Sequence, residues 1–143
     1  MKFKYYKVPL AERSDFFGNS VLKPIISVEV KYLDKKVNYM ALVDSGADFC
    51  IFDAEVGEYL GLDIRRGSRH TFGGIQPGNP SEVFFHDVTL NIGGWDYKTR
   101  IGFSYDIATH GYGVLGQKGF FDKFFIGFNF SKEEIELKEI RRT

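Results

Sequence analysis

Residues 39 to 48, Tyr39-Met40-Ala41-Leu42-Val43-Asp44-Ser45-Gly46-Ala47-Asp48, constrain this chain more than any other stretch. A run with the apolar content of a buried strand ends in a carboxylate, followed at once by a hydroxyl residue, a glycine and an alanine. Unpaired carboxylates are seldom buried, because removing the charge from water is costly. Asp44 therefore needs an explanation. A plain turn is one, since Asp, Ser and Gly bond to nearby backbone or accept positive φ. An acid delivered to a reaction site is the other.

Around this stretch the chain reads as strands and tight turns. Ile25 to Tyr32 places Ile26, Val28, Val30 and Tyr32 on one face, Leu33 to Lys36 turns, and Val37 to Val43 returns as the second half of a hairpin. Asp53 is placed to cap a short helix over Ala54 to Leu60, with Gly61 as its stop. A further strand is expected up to Thr71-Phe72. Glu82 to Ile92, a Gly93-Gly94 turn and Trp95 to Phe103 make a meander, with Trp95, Tyr97, Thr99 and Ile101 on one face. Phe124 to Phe130 and Glu133 to Ile140 alternate as strands, and Gln117 to Lys123 is expected to be helical despite Gly119. Lys2 to Leu10, interrupted by Pro9, suits an edge strand. Polar Ala11 to Lys23 is expected to be a loop. The supply of 15 Phe, 8 Tyr and 16 Gly fits this mainly β reading, and 143 residues suit one domain with its own core.

Several function classes fall away on composition. Lys plus Arg equal Asp plus Glu at 19 each, so no long-range field favours nucleic acid or an anionic membrane. A single cysteine, Cys50, excludes an internal disulfide and a Cys-rich zinc site. His70, His86 and His110 lack metal-ligand spacing, and no glycine-rich segment ends in the Lys-Ser/Thr of a phosphate loop. Cys50 with one of these histidines would make a thiol dyad, but its apolar surroundings favour an inert buried thiol. No run reaches the ~18 apolar residues of a membrane span, and Met1 to Lys7 lacks the apolar stretch of a signal peptide. The expectation is a soluble cytoplasmic protein without metal or cofactor.

Ala41 to Asp48 resembles the active-site loop of the retropepsin-like aspartic proteases, in which apolar residues lead into Asp-Thr/Ser-Gly-Ala and often a further Asp. Gly113-Val114-Leu115-Gly116 is similar to that family's second element, which packs behind the catalytic turn. Phe72-Gly73-Gly74-Ile75, between the two, resembles the glycine-rich tip of its flap. Order and separation both fit over about residues 21 to 138. The implied fold is all-β, a single-lobe closed barrel with a flap hairpin and one or two short helices.

The implied chemistry is hydrolysis of extended polypeptide by a water held between two carboxylates, one acting as base and the other as acid. The chain holds one such turn, so the resemblance implies that Asp44 meets its counterpart from a second copy in a homodimer. It further implies that Ser45 bonds across the dimer, that Gly46 donates N–H to the carboxylate, and that Ala47 stays small beneath the substrate. Asp48 would contact the substrate backbone, or else be a solvated turn residue. Gly73, Gly74 and Ile75 would close over the peptide, or else form an ordinary hairpin end, while Val114, Leu115 and Gly116 support the site. Viral members carry Arg where this chain has Gln117, which cannot supply a charged bidentate partner. The N-terminal strand and Glu133 to Ile140 are then the expected interface elements. The competing expectation is a binding or scaffolding module that keeps the fold without turnover.

Overall fold

Alternating apolar residues and short turns dictate antiparallel pairing wherever two strands follow closely. The computed structural model describes residues 1–73 and 80–140. Twelve strands occur among them: β1 (Lys2–Lys4), β2 (Tyr6–Ser14), β3 (Gly18–Lys23), β4 (Ile25–Tyr32), β5 (Lys35–Val43), β6 (Ile51–Asp53), β7 (Ser68–Phe72), β8 (Ser81–Ile92), β9 (Trp95–Ser104), β10 (Gly113–Leu115), β11 (Phe124–Asn129) and β12 (Glu134–Glu139). One α-helix, α1 (Ala54–Tyr59), and two 3₁₀ segments, Ile64–Arg66 and Tyr105–His110, connect them.

The main sheet runs β4-β5-β10-β6-β9-β8-β7, and β4 also pairs with β8, so the hydrogen-bonded ladder returns on itself. Inside it lie Ile26, Val28 and Val30 of β4, Ala41 and Val43 of β5, Leu90 and Ile92 of β8, and Ile101 and Phe103 of β9. These residues follow the period of two that the sequence shows. A second sheet, β1-β12-β11, adds Ile135 and Leu137 to the same core, and β2 and β3 form a separate two-stranded ribbon. No helix among the described residues is long and apolar enough to cross a membrane.

Two expectations fail here. Residues 11 to 23 are not a loop, because β2 continues to Ser14 and β3 returns from Gly18, with Val8 opposite Val21 and Pro9 opposite Ser20. No residue from Ala11 to Ser20 is buried, so this part of the ribbon lacks the apolar alternation that marks a half-buried strand. Nor is 117 to 123 helical. Gly119 takes φ +107°, and the Phe121 and Asp122 N–H groups reach back five residues to the carbonyls of Gly116 and Gln117, both at 3.2 Å. A left-handed residue at its centre stops the helix that the flanking residues would otherwise support.

The cap on α1 is as expected: the Asp53 carboxylate oxygen Oδ1 accepts the Glu55 N–H at 2.9 Å. Asp53→Ala is expected to lower stability by about 1 kcal/mol. Urea unfolding measures this, and an unchanged midpoint would show that the cap contributes nothing.

Candidate active site

Asp44 stands where β5 leaves the main sheet. β5 is held by β4 on one side and by β10, running parallel, on the other, with Ala41 opposite Gly113, Leu42 opposite Val114 and Val43 opposite Leu115. The pairing ends in a bond that positions the acid itself: the Asp44 N–H donates to the Leu115 carbonyl at 3.0 Å. Ala41, Val43 and Leu115 are buried, while Asp44 is half-buried and Ser45, Gly46 and Asp48 are exposed. A rigid apolar floor thus presents a carboxylate at its rim.

The turn is closed from within and from behind. Asp44 Oδ1 accepts the Gly46 N–H at 2.9 Å, and the Asp44 carbonyl accepts the Ala47 N–H at 3.2 Å. Behind it, the Ala47 carbonyl accepts the Gln117 N–H at 2.8 Å and the Asp48 carbonyl accepts the Lys118 N–H at 3.0 Å. The Gln117 side chain donates from Nε2 to the Ser45 carbonyl. Gly116 makes this seam possible. A Cβ there would overlap the Phe49 carbonyl oxygen and sit 2.7 Å from that of Ala47.

Asp44 through Asp48 are therefore brought together with Val114, Leu115 and Gly116. Gly73 follows β7 and is exposed; Gly74 and Ile75 lie outside the described residues. The strand leading to Gly73 is tied to the turn by aromatic contacts. Phe49 meets Phe72, His70 and Phe85 edge-on, with ring centroids 6.1, 5.9 and 5.2 Å away. This cluster was not foreseen. Its members are far apart in sequence, and only the β7–β8 pairing that sets His70 opposite Val83 aligns them. Asp48, Phe49, His70 and Phe85 border a cavity of about 510 Å³, with Lys118 and Lys123 also lining it.

Cys50 turns out to be part of the seam. It is fully buried, and its Sγ accepts the Gly116 N–H at 3.3 Å. Burial is the main force pushing its thiol up to about 12. The neutral form is favoured in the folded chain, so the thiol contributes stability below its ordinary value near 9 that declines as pH rises toward 12. A thiolate nucleophile is thereby disfavoured. We expect no modification of folded protein by a thiol reagent at pH 8 and rapid modification in denaturant; fast labelling of the native state would contradict this packing. Among the described residues, no group of three His, Cys, Asp or Glu side chains is placed to hold a metal ion.

No protein-family model matches the sequence, and no curated protein matches it. Among solved structures, a retropepsin-like aspartic protease from Rickettsia conorii matches 94% of this chain and 95% of its own, with a TM-score of 0.54 at 18% identity. The chain has the retropepsin-like fold. The EIAV protease complexed with the inhibitor HBY-793 also matches, over 66% of this chain and 82% of that one, with a TM-score of 0.46 and 24% identity. Within the retropepsin-like fold found here, the Asp-Ser-Gly-Ala turn and the Gly-Val-Leu-Gly element are neighbours through the β5–β10 pairing.

Proposed function

We propose that this chain is an aspartic endopeptidase that hydrolyses extended polypeptides as a homodimer, with Asp44 of each copy forming the acid pair. The observation that carries this reading is the setting of Asp44: a half-buried carboxylate directly after a strand whose last residues, Ala41 and Val43, are buried, its backbone fixed by Leu115 and one oxygen fixed by the Gly46 N–H. In the proposed reaction a water between the two carboxylates attacks the peptide carbonyl. One carboxylate takes the water's proton while the other, protonated, donates to the carbonyl oxygen. Amide cleavage then needs a proton on the leaving nitrogen, which the pair supplies, with no covalent intermediate. Ser45 would bond across the dimer, Ala47 would leave room for the substrate, Asp48 would meet its backbone, and Gly73, Gly74 and Ile75 would cover it.

A second reading has its own support. Gln117 stands where the viral proteases carry Arg, and its side chain is engaged by Ser45 of the same chain. A module that binds polypeptide without turnover fits that arrangement if no second copy docks. Digestion of mixed peptides between pH 3 and 7 by the native chain and by Asp44→Asn separates the two. Cuts that require Asp44 support the enzyme, and no cuts at any pH support the module.

A further inference from the structure

The ribbon of β2 and β3 is unlike the rest of the chain. Its strands pair with each other and with no other strand among those described, and no apolar residue from Tyr6 to Lys23 belongs to the core or packs against it. A lone two-stranded ribbon is at best marginally stable in water and usually needs a surface to lie on. Its nine-residue strand extends roughly 30 Å, about twice the radius of gyration of roughly 15 Å expected for 143 residues. At its tip Phe16 is 86% exposed and Phe17 54% exposed, their rings stacked edge-on at 4.8 Å. Water is an unfavourable destination for two adjacent phenylalanines on an exposed turn.

The root of the ribbon lies at the candidate site. Lys23 donates from Nζ to the Tyr112 hydroxyl at 3.2 Å, and the next residue, Pro24, accepts the Val43 N–H at 2.8 Å, one residue before Asp44. Whatever approaches Asp44 therefore approaches the base of this arm. Two of the elements expected to hold a second copy are engaged within the chain. β12 is paired on one edge by β1 and on the other by β11, and Gln117 is bonded to its own Ser45. Equal numbers of acidic and basic residues leave self-association unopposed by net charge.

We infer that the β2–β3 ribbon is a clasp that docks its Phe16-Phe17 tip on a second copy of this chain and so holds two Asp44 turns together. This inference rests on the proposed acid pair and names what assembles it. The test is sedimentation of the native chain and of the Phe16→Ser/Phe17→Ser variant over nanomolar to micromolar concentrations, with peptide cleavage at each concentration. The expected result is dimerisation weakened at least about 10-fold, with activity lost at low enzyme concentration and regained at high. A variant that dimerises and cleaves as the native chain does overturns the clasp and leaves the acid pair standing. A native dimer that loosens as expected on losing the phenylalanines, yet never cleaves, supports the clasp and removes the protease. A second measurement guards against misfolding: a fluorophore on Asn19→Cys, an exposed position beside the tip that keeps both phenylalanines while buried Cys50 stays unlabelled, should change emission on dilution with the same midpoint as the mass. Emission independent of concentration also overturns the clasp.

Discussion

Asp44→Asn is expected to reduce peptide cleavage by about 10³-fold or more, the scale at which general acid and base groups contribute, while leaving the fold intact. Two features separate chemistry from stability here. The asparagine side-chain oxygen still accepts the Gly46 N–H now held at 2.9 Å by Oδ1, so the internal bond of the turn survives. The backbone bond from residue 44 to Leu115 is independent of side chain. What disappears is the ability to take a proton from water. Cleavage of an unfolded protein, read beside circular dichroism and thermal melting, checks both halves. Undiminished cleavage by a well-folded variant would remove Asp44 from the chemistry.

Gly116→Ala is expected to destabilise the chain by about 3 kcal/mol, at the upper end of ordinary overpacking. A methyl group there would meet the carbonyl oxygens of Phe49 and Ala47, which belong to the backbone of the turn and cannot rotate aside. Relief requires β10 to move away from the turn. That loosens the bonds from Gln117 to Ala47 and from Lys118 to Asp48 and the Gly116 N–H bond to Cys50 Sγ. Urea unfolding gives the stability change, and the Cys50 thiol should become reactive as the seam opens. A shift below about 0.5 kcal/mol, the range of neutral surface changes, would mean the two segments are not in close contact.

What could be read from sequence was local. The β4–β5 and β8–β9 hairpins announce themselves by alternation, the second also by Gly93-Gly94, although the first turn is two residues shorter than the expected Leu33 to Lys36, and Asp53 sits where a cap belongs. The carboxylate at the end of β5 was visible because four apolar residues precede it. Contacts between distant segments were a different matter. Nothing in residues 41–43 specifies parallel pairing with 113–115; only the family resemblance joined them. The Phe49 cluster depends on β7 lying beside β8, and the Cys50 bond depends on Gly116 lying behind the turn. The ribbon was missed because polar residues and a register shift between Pro9 and Ser14 hide its pairing. Gly119 shows how one backbone conformation overrides the helical tendency around it.

If two chains share one reaction centre, subunit mixing reveals it. Native protein is allowed to exchange with an equal amount of Asp44→Asn protein, and cleavage is compared with the same native protein alone. Random pairing leaves about half of the native subunits opposite an inactive partner, so activity should fall to about half and decline further as the variant is added in excess. Activity that stays constant across the whole titration, with subunit exchange verified by mass, would show that each chain acts alone.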